Sequence, residues 1–253
     1  MSDMTMSSPK LVAHRGYTAH YPENSLLAIE AAVNAGTEYI EFDVMMSADG
    51  IPVLFHDRDL SRLCGKPGSI HDYSLAELKT FSLSDFGRFG YRFVNNRITT
   101  LAEAVDYLDS QPAITIFVEI KRQALQHHDG SMLLDRVLRE LKPISQRSVI
   151  ISYDIEALLA LRRLSSLPVG AVFDNWRERK QISIKKLAPE YLFTNINQLP
   201  RFGKLKHSSA QLAVYECTDP QQARKVHARG IDFVETFAIG EMLRAMRLMS
   251  GRA

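Results

Sequence analysis

The sequence predicts an α/β fold of repeated strand-then-helix units, best closed as a TIM (β/α)8 barrel with a small insertion after the second strand. Three observations carry this. Short β-rich runs alternate with segments of helical period, eight such runs can be found, and 253 residues is about the length a barrel of this kind needs. An open doubly wound sheet gives a similar alternation, so periodicity by itself leaves the closure open.

The β-rich runs are Leu11 to His14, Tyr39 to Val44, Ile114 to Ile120, Val149 to Tyr153, Val169 to Phe173, Tyr191 to Thr194, Leu212 to Cys217 and Phe233 to Glu235. Helical period is clearest in Ser25 to Ala35, Leu101 to Leu108, Leu133 to Leu141, Ile155 to Leu164, Pro220 to Ala228 and Ile239 to Met249. The fifth and sixth crossovers are weaker. Boundary residues agree with these spans: Asn24 stands where a cap for the first helix belongs and Gly36 where it ends. Asp154 and Asp219 occupy later N-cap positions, and Gly230 follows the seventh helix. The last helix carries Met242 to Met249, an apolar face expected to pack on the barrel.

Between Val44 and Leu101 the rhythm breaks. An Asp49-Gly50 turn leads into a second extended piece, Ile51 to His56, and then an irregular stretch rich in Gly, Ser and aromatics. This reads as an excursion above the barrel mouth, where long loops usually carry function.

With 45% apolar and 24% charged residues the composition is that of a globular protein, read here as one domain spanning 1–253. A net charge of +2, with Lys and Arg spread along the chain, argues against a nucleic-acid partner. Met1 to Lys10 is polar, and no apolar run approaches the length of a membrane span, so no stable membrane insertion is expected and the compartment expected is the cytoplasm. Cys64 and Cys217, far apart and without a CxxC partner, fit a reducing compartment and a packing role. Nothing in the sequence fixes the oligomeric state.

The chemistry concentrates in two strands. Glu41 and Asp43, one residue apart, project to the same side of the second strand, and Glu119 and Lys121 do the same in the third. Carboxylates within barrel strands are costly unless paired or bound to an ion. Internal salt bridges to Lys121 or Arg15 are one resolution. The stronger one is a single divalent cation held by Glu41, Asp43 and Glu119, and an all-oxygen set points to Mg²⁺ or Ca²⁺ rather than zinc. His14 closes the first strand and His56 closes the excursion after the second, so the pair can serve as general acid and base across a phosphoester. Arg15 and Lys121 suit an anionic substrate. Gly16 allows a sharp turn out of the first strand. His20, His71, His127, His128, His207 and His227 read as surface residues.

The order and spacing of His14-Arg15-Gly16, Pro22-Glu23-Asn24-Ser25, Glu41-Phe42-Asp43-Val44, Asp49-Gly50 leading to Val53-Leu54-Phe55-His56-Asp57, and Glu119-Ile120-Lys121 resemble the glycerophosphodiester phosphodiesterase family. Fainter similarity continues through Leu75 to Leu78, Ile98 to Leu101 and Gly230 to Asp232, over nearly the whole chain. The resemblance implies a TIM barrel with a small inserted subdomain, here about Arg58 to Arg97. It implies hydrolysis of small glycerophosphodiesters to glycerol 3-phosphate and an alcohol. It also implies metal ligation at Glu41, Asp43 and Glu119, with His14 and His56 as the acid-base pair and Arg15 and Lys121 holding the phosphate.

Three departures stand out. Thr99 replaces a frequent Pro, a change expected to be structural. Tyr215-Glu216-Cys217-Thr218 stands where the family usually has Trp-Thr-Val-Asn, with Tyr215 a candidate aromatic wall for glycerol. Thr236-Phe237 replaces Thr-Asp, which bears on substrate preference more than on reaction type. A lipid-directed phosphodiesterase on the same barrel is the alternative. It would need a membrane-facing loop, for which Phe81, Phe86, Phe89, Tyr91 and Phe93 are candidates; these aromatics are expected instead to form the insertion's own small core.

Overall fold

Apolar residues at a period of two build each stave of the sheet, and amphipathic helices cover its outer side. The protein is described here by a computed structural model covering residues 8–205 and 209–251. His207 and the first seven residues of the polar N-terminal stretch lie outside the described residues. The strands are β1 (Lys10–His14), β2 (Tyr39–Met46), β3 (Pro52–Leu54), β4 (Thr115–Ile120), β5 (Ser148–Ser152), β6 (Val169–Phe173), β7 (Tyr191–Asn195), β8 (Gln211–Tyr215) and β9 (Phe233–Thr236). Pairing runs β1-β9-β8-β7-β6-β5-β4-β2, and β1 also pairs with β2, so eight parallel strands close on themselves. An open sheet is thereby excluded, and the fold is the TIM barrel. β3 is a ninth strand, antiparallel to β2 with Val44 opposite Leu54, folded back through the Asp49-Gly50 turn.

The helices expected from periodicity form as Leu26–Asn34, Leu101–Asp109, Gly130–Leu141, Ile155–Leu164, Pro220–Arg229 and Ile239–Met249. Asp154 and Asp219 cap two of them through the backbone N–H groups of Ala157 and Gln221, and Gly230 ends the second at φ 115°. The first cap differs from expectation. Ser25, not Asn24, accepts from the Ala28 N–H at 3.1 Å, because Asn24 sits in a left-handed conformation, φ 53°, and turns its amide to the barrel. The weak crossovers are short in the structure. After β6 come a 3₁₀ turn, Trp176–Lys180, and the helix Ile182–Leu187; after β7 the described residues contain only the 3₁₀ turn Ile196–Gln198.

Two apolar layers hold the barrel. Inside it, Val12, Phe117, Val149, Ile151, Val172, Phe193, Ala213 and Phe233 form one cluster, in which Phe117 meets Tyr191, Phe193 and Phe233 edge-on at 5.2, 5.3 and 5.7 Å. Outside, strand side chains such as Ile40, Phe42 and Val118 pack against the helices, among them Ile239, Met242 and Met246 of the last one. Gly170 of β6 lets the interior close: a Cβ there would lie 2.8 Å from Ile151 and 3.1 Å from Phe193. Cys64 and Cys217 are free and buried, and burial pushes the Cys64 thiol up to about 12.

Between β3 and the helix Leu101–Asp109 the chain makes three short helices, Ser61–Cys64, Leu75–Leu78 and Phe86–Phe89, and a 3₁₀ turn, Ile70–Asp72. Its aromatics pack in edge-on pairs, Phe89 on Phe93, Tyr73 on Phe81, and Phe86 on Tyr91; Tyr91 alone of these is largely exposed, at 81%. Thr99 is structural, as expected: its hydroxyl accepts from the Leu26 N–H at 2.9 Å and ties the end of the excursion to the first helix. His71 is not a surface residue. It is buried beneath the excursion, with Nδ1 2.8 Å from the Met46 carbonyl at the end of β2.

Phe117→Ala should cost about 3–5 kcal/mol of unfolding free energy in urea titration, the range for a buried aromatic lost from a packed core. Burial, with His127, His128 and Arg58 nearby, lowers the His71 pKa to about 4, from about 6.5 in an unfolded chain. The unfolded chain therefore takes up this proton first as pH falls. The stability contributed by neutral His71 is complete above pH ~6.5 and is lost toward pH ~4. The thermal midpoint should fall across that window, and less steeply in His71→Gln.

Candidate active site

The site lies where β1, β2, β4, β8 and β9 end. In β2, Glu41 stands beside His14 of β1, and Asp43 stands beside Glu119 of β4. Register therefore does what sequence spacing suggested. One oxygen each from Glu41, Asp43 and Glu119 lies within 4.8 Å of the others, and all three residues are buried.

Two cations keep these charges underground. Lys121 Nζ is 2.7 Å from Glu119 Oε1 and 3.3 Å from Asp43 Oδ1. Arg15 Nε is 3.1 Å from Asp43 Oδ2, its Nη1 donates to Glu23 Oε1 at 3.0 Å, and its backbone N–H donates to Glu41 Oε2 at 3.1 Å. That last bond requires the left-handed backbone at Arg15, φ 58°. Gly16 follows at φ 84°, where a Cβ would meet the Ala28 backbone at 2.7 Å. The sharp turn expected at Gly16 is thus a close approach to the first helix.

The balance of burial and charge differs among the acids. Burial opposes the charge of Asp43, yet Lys121 and Arg15 overcome it and hold its carboxyl well below the usual range. For Glu41, burial and then the neighbouring Asp43, Glu235 and Glu119 push the carboxyl well above its ordinary value. Burial also raises Glu119, assisted by Asp43 against the pull of Lys121. Glu41 Oε1 is buried with no hydrogen-bond partner, and Asp43 Oδ1 has none of acceptable geometry. An all-oxygen set with unsatisfied lone pairs is what a hard divalent cation would satisfy.

The two histidines face the same cavity, of about 210 Å³, with Glu119, Lys121, Tyr153, Tyr215, Glu216 and Glu235 also in its wall. His14 is buried, stacks on Phe237 at 4.9 Å, and has Nε2 3.7 Å from Glu41 Oε2. Burial, then Arg15, lowers its pKa well below the ordinary value, so the imidazole is uncharged near neutral pH. His56 is partly exposed and held through Nδ1 by Asp57 at 2.8 Å. Asp57 in turn takes Arg62 Nε at 2.6 Å, and Arg62 grips both oxygens of Glu23 at 2.7 and 2.9 Å.

A family model described as the glycerophosphoryl diester phosphodiesterase family matches residues 14–237. The chain belongs to that family. Glycerophosphodiester phosphodiesterase 1 of Bos taurus is 32% identical over 162 residues, 64% of this chain and 47% of its own length. A glycerophosphodiester phosphodiesterase of Caldanaerobacter subterraneus subsp. tengcongensis is 27% identical over 188 residues, 72% of this chain and 75% of its own. The chain spans about half the length of the mammalian relatives it matches. Among solved structures, the glycerophosphodiester phosphodiesterase of Thermotoga maritima superposes with a TM-score of 0.73 at 27% identity, covering 95% of this chain and 99% of that one. A phosphodiesterase of Oleispira antarctica, solved with the product sn-glycerol-3-phosphate, shares the fold at TM-score 0.80 and 24% identity, covering 94% of this chain and 97% of its own.

In this member of the family, the Pro22-Glu23-Asn24-Ser25 segment divides three tasks. Glu23 joins Arg15 to Arg62, Asn24 both donates to Asp43 Oδ2 at 2.8 Å and accepts from the Asp43 N–H at 3.0 Å, and Ser25 caps the helix. Sequence reasoning assigned none of the first two. It also passed over Glu235, which is buried in β9 opposite Val12 with Oε1 unpartnered and its carboxyl raised by burial and by Glu119 and Asp43. The signal was available: a carboxylate inside an apolar strand, as at Glu41. Tyr215 lines the cavity and hydrogen-bonds Tyr153 hydroxyl to hydroxyl, a partner that nothing local in sequence suggests.

Asn24→Ala should weaken divalent-cation binding about 10- to 100-fold in calorimetric titration, the usual cost of removing a residue that orients a ligand. Unchanged affinity would show that Asp43 needs no such support.

Proposed function

We propose that this protein is a divalent-metal-dependent phosphodiesterase that hydrolyses small glycerophosphodiesters, such as glycerophosphocholine or glycerophosphoethanolamine, to glycerol 3-phosphate and an alcohol. The observation that carries this reading is the convergence of Glu41, Asp43 and Glu119 beside Lys121, in a cavity that His14 and His56 both face. Family membership agrees with it.

Glu41, Asp43 and Glu119 would hold one Mg²⁺ or Ca²⁺; both are hard cations matched to an all-oxygen set. Such an ion supplies Lewis-acid polarisation of the phosphoryl oxygens. The chain's own groups do the rest. Lys121 and Arg15 place positive charge at the cavity wall for the phosphate, while also neutralising the acids below. His14, uncharged in its buried setting, accepts a proton from the attacking hydroxyl or water. His56, oriented through Nδ1 by Asp57, enters the step protonated and donates its Nε2 proton to the leaving oxygen; proton exchange with solvent then resets both imidazoles. Tyr215, steadied by Tyr153, forms an aromatic wall for the glycerol end.

The packed aromatics of the insertion favour water-soluble diesters over intact lipid, and no helix among the described residues is long and apolar enough to cross a membrane. Free, buried cysteines support a reducing compartment, the cytoplasm. On this reading residues 1–253 act as one barrel domain.

Chelation with EDTA should abolish hydrolysis of glycerophosphocholine, and Mg²⁺ or Ca²⁺ should restore it. His14→Ala and His56→Ala should each lose roughly 10²–10⁴-fold in kcat. Glu119→Ala should lose cation binding while keeping its circular dichroism spectrum. Full activity in EDTA would sink the metal reading, and preferred turnover of phospholipid vesicles would replace the substrate class.

A further inference from the structure

Away from the carboxylate cluster, three histidines from two distant segments pack together. His71 lies on the 3₁₀ turn Ile70–Asp72 of the insertion; His127 ends the helix Arg122–His127 that follows β4, and His128 comes next. The rings of His71 and His127 stack at 4.5 Å and 15°, and His128 meets each of them edge-on at 5.3 Å.

The hydrogen bonding of this group is incomplete in a telling way. His71 Nδ1 faces the Met46 carbonyl at 2.8 Å, and a carbonyl can only accept, so Nδ1 carries the hydrogen and Nε2 the lone pair. His71 is 4% exposed, and its Nε2 has no partner. His128 meets both other rings, and its Nε2 is also buried and unpartnered. An imidazole that gives one N–H to a backbone carbonyl and keeps a bare nitrogen is arranged as metal-binding histidines are. A buried acceptor without a donor is otherwise a cost to the folded state.

We propose that His71, His127 and His128 form a second metal site, selective for a borderline transition metal of the Zn²⁺ or Cu²⁺ class. Three imidazoles with no carboxylate between them suit such ions and not Mg²⁺ or Ca²⁺, which separates this site chemically from the acidic one. The three nitrogens do not meet as closely as the acidic oxygens, which are the ligand set within 4.8 Å. The stack keeps the lone pairs of His71 and His127 in separate planes, so closure requires His127, exposed at a helix end, to turn its ring out of the stack. The ion would join the insertion to the helix that Lys121 begins as its N-cap residue, and so brace one wall of the active-site mouth.

The test uses the full, untagged chain saturated with Mg²⁺, titrated with Cu²⁺ and followed by electron paramagnetic resonance. One nitrogen-coordinated Cu²⁺ per chain is expected. In His127→Ala/His128→Ala, changed at a helix end where folding is preserved, its affinity should fall at least tenfold while Mg²⁺-supported hydrolysis persists. Zn²⁺ should raise the thermal midpoint of the parent and not of that variant. Nitrogen coordination of equal affinity in the variant, or oxygen coordination alone in the parent, would overturn the proposal. Neither result depends on which phosphodiester the enzyme cleaves.

Discussion

Everything in the active site follows from putting like charges underground. Glu41, Asp43, Glu119 and Glu235 all stand buried at one end of the barrel, and two cations, Arg15 and Lys121, are set among them. Desolvation alone would neutralise such acids. Instead the field is uneven: Asp43, flanked by both cations, stays ionised, whereas Glu41 and Glu235, less well compensated, are driven toward the protonated form. A divalent ion would relieve this imbalance, which is the physical ground of the metal reading proposed above. The salt bridges weighed from sequence as the alternative are present, through Lys121 and Arg15.

Around that centre the supporting bonds come from pieces far apart in sequence. Glu23 follows β1 after a single loop, Arg62 belongs to the insertion, and Asp57 comes three residues after β3; together they connect His56 to Arg15 by direct side-chain contacts. Phe237, the residue after β9, stacks on His14. An aromatic plate there fixes the ring without adding to the local negative charge. The ring is thus positioned by Phe237, while its neutrality comes from burial and from Arg15.

Much of this was readable from residues alone, for a physical reason. A strand's period of two is rigid, so Glu41 with Asp43 and Glu119 with Lys121 had to project together, and short boundary residues such as Asp154 and Gly230 act locally. What escaped was long-range. Asn24 has the chemistry of a helix cap, and only the left-handed turn aims it at Asp43 instead. His71 reads as an exposed loop residue until the insertion folds over the end of β2 and buries it. Closure of the barrel belongs to the same kind of fact, since alternation cannot say whether the first strand meets the last.

The paired grip of Arg62 on Glu23 has an evolutionary corollary. Because a residue of the insertion neutralises an acid beneath the catalytic floor, that excursion is not an interchangeable ornament on a conserved scaffold. Swapping in a loop without a matching guanidinium would leave Glu23 to Arg15, which Asp43 also engages. Diversification of the rim must therefore proceed by changes that keep this contact, or by compensating pairs of changes on both sides of it.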